Sequence, residues 1–342
     1  MKKKLVISIT WTITIVISFS IGIIVQKNQN SWFSTSKSPN HQNIKYDSTS
    51  CVYWDKDFLN IEISSSIDTI VQKAYFYPTK SNNSRPLLVS LHTWSGDFSQ
   101  YDTLAILAKT KDWNYIHPDF RGPNQTNDAC CSKLALTDID DAIDYAINNA
   151  NVDTANIFIV GVSGGGYATL CMFMKSKHKI KKFSSWVPIS DLPAWYHQSL
   201  WRKNIYADDI LNCTNSKDNK LNMSIAKEKS PVYWDTPINK LSNSKLEIYA
   251  GVFDGIQGSV PITHSINFYN KILHDLGVNN EQYYVSTKET LDLIENRTPV
   301  CNYGKISDRK IYLKREYKNV KLIIFKGNHE MLPEYAFNSL ME

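Results

Sequence analysis

Short apolar segments alternate with helical segments along most of the chain, and this alternation is the strongest constraint on its fold. Continuous apolar runs such as Pro86–Leu91 and Asn156–Val160 are typical of strands that are buried on both faces. Between them, Leu136–Ala150 repeats its apolar residues at three- and four-residue spacing, as an amphipathic helix does. The pattern predicts a mostly parallel sheet with helices on both faces. Further strands are predicted at Asn114–His117, Phe183–Ile189, Leu246–Ala250 and Val320–Phe325, and further helices near Tyr101–Lys111 and Gly164–Lys175.

Two segments before this alternation have a different pattern. Leu59–Ser65 and Gln72–Tyr77 alternate polar and apolar residues, which is typical of antiparallel strands. With them the prediction becomes a mixed sheet of about eight strands. Two later stretches interrupt the alternation: residues 190–242 are rich in aromatics, and residues 271–318 are polar. We expect the first to cap part of a cleft and the second to be surface decoration.

The N-terminus predicts export. Lys2–Lys4 precede an uncharged, mainly apolar run from Leu5 to Val25, which as a helix is about 31 Å long and matches the thickness of a bilayer core. The length favours an uncleaved signal anchor over a cleaved signal peptide, and the flanking lysines place the following domain outside the cytoplasm, periplasmic or extracellular. We predict an anchor at residues 1–27, a flexible stalk at 28–58 and the main domain at 59–342.

Charge and cysteine content limit the partners of the chain. The net charge of +5 is spread along the sequence without a nucleic-acid-binding motif, so no nucleic acid partner is expected. Export permits disulfides, but six cysteines allow 15 pairings and the sequence does not choose among them. Cys171 lies on an apolar helical stretch and is expected to be a buried thiol. No zinc-type or phosphate-binding spacing is complete, so no metal and no cofactor are expected.

The sequence Gly161-Val162-Ser163-Gly164-Gly165 stands between a predicted strand and a predicted helix. A G-x-S-x-G turn in that setting is typical of a nucleophile elbow, in which the serine has a strained backbone and its neighbours must be small. Ser163 is therefore the candidate nucleophile, and the backbone N–H of Gly164 is a candidate oxyanion donor.

A serine nucleophile needs a histidine base and a carboxylate that orients it. His329 follows the last predicted strand in Gly327-Asn328-His329 and is the candidate base. Asp254 follows the strand at 246–250 in a turn-rich loop and is the preferred acid. Asp191, one strand earlier, remains its rival. The second oxyanion donor is expected after the strand at 86–91, where the backbone N–H of Trp94 is preferred to that of Thr93 and His92 is expected to be structural.

These motifs resemble those of the prolyl-oligopeptidase-like branch of the α/β hydrolases, which also includes many secreted esterases. The resemblance spans roughly residues 60–335 and implies an α/β-hydrolase fold with a Ser-His-Asp triad. One departure is Thr93, which follows His92 where the family usually has glycine. The matching stretches are Leu91–Asp97, His117–Gly122, Gly161–Tyr167, Asp254–Gly255 and Gly327–His329.

The resemblance leaves three functions open. Only residues 26–58 separate the apolar run from the first predicted strand, far fewer than the β-propeller of the family's oligopeptidases requires. We therefore expect a carboxylesterase, whose substrate is a small-molecule ester or an acylated polysaccharide. A prolyl-oligopeptidase-like peptidase is the first alternative, and a catalytically inactive binding protein is the second.

Overall fold

The computed structural model describes residues 54–299 and 301–342. The predicted anchor at 1–27 and most of the predicted stalk therefore lie outside the described residues. Within the part described, no helix is both long and apolar enough to cross a membrane.

Among the described residues, ten strands form one mixed sheet, in the order β1-β2-β4-β3-β5-β6-β7-β10-β9-β8. The six central strands of the sheet, β4, β3, β5, β6, β7 and β10, run parallel to one another. The antiparallel strands lie at the two edges. The strands are β1 Leu59–Ser64, β2 Val71–Tyr77, β3 Arg85–Leu91, β4 Asn114–Pro118, β5 Val152–Val162, β6 Lys182–Trp186, β7 Lys245–Gly251, β8 Lys305–Ile306, β9 Arg309–Tyr317 and β10 Val320–Phe325.

Nine α-helices are present in the described part of the chain. Several begin at a side-chain cap: Asp102 caps α1, Ser132 caps α2 and Asp191 caps α4 through hydrogen bonds to backbone N–H groups of the first turn. The helices are α1 Thr103–Thr110, α2 Lys133–Asn149, α3 Gly164–Lys175, α4 Leu192–Arg202, α5 Tyr206–Cys213, α6 Met223–Glu228, α7 Thr263–Asp275, α8 Thr287–Glu295 and α9 Pro333–Asn338.

This architecture confirms the predicted α/β-hydrolase fold, with ten strands rather than about eight. The two additional strands, β8 and β9, lie in the 271–318 stretch that was expected to be surface decoration. β9 pairs antiparallel with β10 and extends the sheet beyond its last parallel strand. Its C-terminal half, Lys314–Tyr317, is charged and half exposed, so it lacks the apolar continuity that reveals a central strand.

Arg121 joins the connection after β4 to two other segments. Its guanidinium binds both oxygens of Asp68 at 2.8 and 2.9 Å, and its Nε donates to Asp138 of α2 at 2.5 Å. The Asp138 side chain is fully buried, and this burial raises the pKa of its carboxyl group. A buried carboxylate depends on such a partner, because its desolvation is costly without one.

We expect Arg121→Ala to lower the free energy of unfolding by about 3–5 kcal/mol, because it leaves Asp138 buried without its cation. Urea unfolding at neutral pH measures this change. The double variant Arg121→Ala/Asp138→Asn is the control, and it should recover part of the loss because no uncompensated charge remains. A loss below about 1 kcal/mol for Arg121→Ala would show that the contact behaves as an exposed ion pair.

Candidate active site

Ser163 lies in the tight turn between β5 and α3. Its backbone has φ 59° and ψ −118°, a left-handed conformation that is strained for a residue with a side chain. The Ser163 N–H donates to the carbonyl of Trp186 at 2.9 Å, and its own carbonyl accepts the N–H of Tyr167 at 2.9 Å. The turn is therefore held from both sides, as a nucleophile elbow requires.

Glycines make this turn possible. A Cβ placed on Gly161 would lie 2.2 Å from the carbonyl oxygen of Gly165, and one placed on Gly165 would lie 2.2 Å from the carbonyl oxygen of Leu91. Only residues without a side chain permit these approaches. The G-x-S-x-G spacing is thus explained by backbone packing around Ser163.

Asp254 and His329 meet at the carboxyl end of the parallel strands. Asp254 follows β7 and His329 follows β10, and these strands are parallel neighbours. Nδ1 of His329 lies 2.7 Å from Oδ2 of Asp254. The other oxygen, Oδ1, accepts the backbone N–H groups of Gly255 and Val260 at 2.8 and 3.0 Å. These contacts hold the carboxylate in place. When the carboxylate is ionised, Nδ1 of His329 is the donor and Nε2 of His329 is the basic nitrogen.

The loop that carries His329 also reaches the serine turn. Met331 lines a small cavity together with Gly161 and Val162. Ser163 follows β5, which lies in the same parallel set as β7 and β10, so all three candidate residues lie at one edge of the sheet.

Asp191, the rival acid, lies in a different environment. Its Oδ1 accepts the N–H of Ala194 at 3.0 Å as the cap of α4, and its Oδ2 accepts the hydroxyl of Tyr233 at 3.1 Å. The structure therefore brings Asp254, and not Asp191, into hydrogen-bond contact with His329.

Gly164, the residue after Ser163, lies against Trp94. A Cβ on Gly164 would lie 2.2 Å from the backbone nitrogen of Trp94, so the two N–H groups belong to touching segments. The neighbouring candidate, Thr93, already donates its N–H to Oε1 of Gln100 at 2.8 Å. This contact favours Trp94 over Thr93 as an oxyanion donor.

Burial determines the state of His92. The side chain is fully buried, its ring stacks on Phe120 with centroids 3.7 Å apart, and Nδ1 donates to the carbonyl of Thr93 at 2.9 Å. Burial lowers the pKa of His92 to about 3, so the ring is neutral at physiological pH. His92 therefore supports the loop before Trp94.

Two residues of the aromatic stretch hold the loop of Asp254, a contact that no sequence pattern predicted. Arg202 donates to the carbonyl groups of Gly255 and Ser259, and Nε1 of Trp195 also donates to Ser259 at 3.0 Å. Arg202 belongs to no motif, and its role depends on a contact between α4 and a loop more than fifty residues away. Sequence reasoning had no signal by which to find it.

Trp94 itself is anchored by the aromatic stretch. Its indole Nε1 donates to Asp209 of α5 at 3.1 Å, and its ring packs against Trp195 with centroids 4.7 Å apart. Trp195 is buried, whereas Trp201 is 85% exposed. The stretch at 190–242 therefore packs partly against the site, and its expected role as a cap over a cleft stays a prediction.

We expect Gly164→Ala to lower kcat about 100- to 1,000-fold, because its Cβ forces the Trp94 backbone away and removes an oxyanion donor. Steady-state kinetics with a chromogenic substrate measure the change, and thermal unfolding of the same sample shows whether the fold survives. Unchanged kcat in a folded variant would exclude the Trp94–Gly164 pair as the oxyanion site.

No group of three or more His, Cys, Asp or Glu side chains suited to a metal ion is found among residues 54–299 and 301–342.

The fold places the chain among the α/β hydrolases. The family model of the prolyl oligopeptidase family matches residues 106–289, more than half of the sequence. The chain therefore belongs to this family and is a serine hydrolase of it.

Solved peptidase structures share this fold at low sequence identity. The acylaminoacyl peptidase of Pyrococcus horikoshii is 17% identical with a TM-score of 0.56, and the match covers 83% of this chain and 40% of that protein. An acylaminoacyl peptidase in complex with Z-Gly-Gly-Phe-chloromethyl ketone is 18% identical, with the same TM-score and coverage. A puromycin-hydrolyzing peptidase of Mycobacterium tuberculosis is 14% identical with a TM-score of 0.53, over 83% of this chain and 38% of that one. No curated protein matches the sequence.

Proposed function

We propose that this chain is a serine peptidase in which Ser163 is the nucleophile, His329 the general base and acid, and Asp254 the orienting carboxylate. The observation that carries the proposal is the 2.7 Å contact between Asp254 and His329 at the sheet edge where the strained Ser163 turn lies. The N–H groups of Gly164 and Trp94 are the proposed oxyanion donors.

In the proposed reaction, Oγ of Ser163 attacks the scissile carbonyl and transfers its proton to Nε2 of His329. Asp254 stabilises the imidazolium, and the two backbone N–H groups stabilise the negative oxygen of the tetrahedral intermediate. The imidazolium then protonates the leaving amine, which leaves an acyl-Ser163 ester. Water activated by His329 hydrolyses this ester and regenerates Ser163.

Family membership favours the peptidase alternative over the esterase expected from the sequence. The relatives named above are peptidases, and one of them holds a peptidyl chloromethyl ketone. We propose as substrates short peptides or aminoacyl amides, including N-acylated ones. The chain spans about 40% of the length of these relatives, so this substrate class is an inference from the shared catalytic fold.

The burial of the aromatic stretch also bears on the substrate. Trp195 and Tyr196 are buried, so they are not available to stack on sugar rings. Trp201 and Tyr233 are exposed, but their exposure alone does not define a carbohydrate site. The expectation that the substrate is an acylated polysaccharide therefore loses support.

A substrate panel tests the proposal. Aminoacyl anilides, N-acylaminoacyl anilides and aryl acetates are compared at equal enzyme concentration, with Ser163→Ala as the blank. We expect hydrolysis of at least one anilide class that the blank lacks. Ester hydrolysis without any amide hydrolysis would favour the carboxylesterase instead, and no hydrolysis of either would favour a binding protein.

We also propose that the chain is exported and retained at the cytoplasmic membrane by residues 1–27. The support is the apolar run Leu5–Val25 with its preceding lysines. Full-length protein should remain with the membrane pellet after alkaline extraction, whereas a variant that starts near Ser50 should be soluble. A mature N-terminus near Ile21 would instead indicate a cleaved signal peptide.

A further inference from the structure

Four buried cysteines lie around Tyr167, four residues after Ser163 in the sequence. Cys130 and Cys131 lie in the connection between β4 and α2, Cys171 lies on α3, and Cys213 ends α5. Each is at most 3% exposed. Tyr167 of α3 packs among them and donates its hydroxyl to the carbonyl of Cys130 at 3.0 Å. The cluster therefore joins three segments that are far apart in sequence.

One pair of sulfur atoms in the cluster is in direct contact. Sγ of Cys213 lies 2.6 Å from Sγ of Cys130. Both side chains are fully buried, so no solvent separates the two thiols. Cys130 has a left-handed backbone, with φ 53°.

We propose that in an oxidising environment Cys130 and Cys213 form a disulfide. The sequence left 15 pairings open for six cysteines, and the 2.6 Å contact selects this bond. The bond joins the connection between β4 and α2 to the end of α5.

Formation of the bond requires an oxidant, which we take to be a thiol–disulfide oxidant such as oxidised glutathione or a protein disulfide donor. One thiolate attacks the oxidant's disulfide to give a mixed disulfide and releases one thiolate of the oxidant. The second cysteine, as its thiolate, then displaces the other half of the oxidant. Two protons leave the protein thiols, and the oxidant gains two electrons and becomes two thiols.

Burial affects when this exchange occurs. Burial raises the pKa of the Cys213 thiol well above the ordinary range, and a thiol that stays protonated exchanges slowly. We therefore expect the bond to form while the chain folds.

The proposed bond would fix the candidate oxyanion segment from two sides. α5, which ends at Cys213, carries Asp209, the acceptor of the Trp94 indole. On the other side, the N–H of Cys130 donates to Asn124, whose own N–H donates to the carbonyl of Trp94. Oxidation should therefore stabilise the segment that carries Trp94.

The first test uses the full chain, refolded with oxidised glutathione, unfolded without reductant and alkylated. We expect at most four of the six cysteines to be alkylated, because two are in the disulfide. Digestion should give a reducible species in which the peptide of Cys130 is linked to that of Cys213. Reduction should lower the melting temperature by on the order of 10 °C. Alkylation of all six cysteines, or a bond between Cys130 and Cys131, would overturn the proposal.

Matched double variants decide the pairing. Cys131→Ser/Cys171→Ser retains Cys130 and Cys213 and should form their bond almost completely. Cys130→Ser/Cys171→Ser retains Cys131 and Cys213 and should form little of it. Equal linking in the two variants would contradict the assignment, and circular dichroism checks that both are folded. If either variant does not fold, fragmentation of the linked wild-type peptides assigns the pairing, and a Cys131–Cys213 bond there would overturn it.

Discussion

Replacement of Ser163 by alanine should lower turnover by about a thousandfold to a millionfold while the fold remains intact. The variant loses the nucleophile but keeps the histidine, the carboxylate and the oxyanion donors, so a residual rate above that in water should remain. The Ser163 side chain is small and its strained backbone is held by hydrogen bonds of the main chain, so its hydroxyl is not needed for packing. Initial rates on the best substrate of the panel, with thermal unfolding of the same sample, measure both expectations.

Ser199→Ala is the matched control for this experiment. Ser199 is also a buried serine, but it lies on α4, and its hydroxyl has no hydrogen-bond partner among the residues described. Its removal should leave turnover unchanged, and it should not destabilise the helix, because alanine is a better helix former than serine. Full activity of a folded Ser163→Ala variant would contradict the proposed mechanism.

The second large effect is expected for Asp254→Asn, which should lower turnover by up to about ten-thousandfold. The amide preserves the shape of the side chain, but it no longer stabilises the imidazolium and can favour the wrong tautomer of His329. Because Oδ1 of Asp254 accepts two backbone N–H groups, the side chain should keep its position, and the loss should fall on kcat more than on KM. Steady-state kinetics separate the two parameters.

Asp191→Asn is the control, because it changes the rival carboxylate in the same way. Asp191 caps α4 and accepts the hydroxyl of Tyr233, and asparagine is also a good cap. We expect near-normal turnover and a loss of unfolding free energy of at most about 1 kcal/mol. A larger loss of activity in Asp191→Asn than in Asp254→Asn would require a triad with the acid one strand earlier.

The central elements of the fold were predictable because buried segments have an apolar composition. The sequence placed a helix at Gly164–Lys175 and a strand at Val320–Phe325, and the structure has both at the same bounds. Both segments are mainly apolar, and the helix begins with glycines. The structure that their local sequence favours is therefore the structure that their buried environment requires. β9 was missed because it extends the sheet on its antiparallel side, and its charged, half-exposed end does not differ from a loop in composition.

The geometry of the candidate site was foreseen only where it depends on chain order. Asp254 and His329 each follow a parallel strand, and parallel neighbours end at the same edge, so their meeting could be expected. The contacts of Arg202 with the Asp254 loop, of Asp209 with Trp94 and of Cys130 with Cys213 join segments without shared motifs. Such contacts arise only when the segment at 190–242 packs on the sheet, and no local pattern encodes them.

Labelling with a fluorophosphonate, followed by peptide mapping, tests the central claim most directly. The reagent reacts with a serine only when a base activates it and an oxyanion site stabilises the product. We predict one adduct on the wild-type protein, located at Ser163, and its loss in both Ser163→Ala and His329→Ala. An adduct on another serine, or no adduct on the folded wild-type protein, would contradict the account.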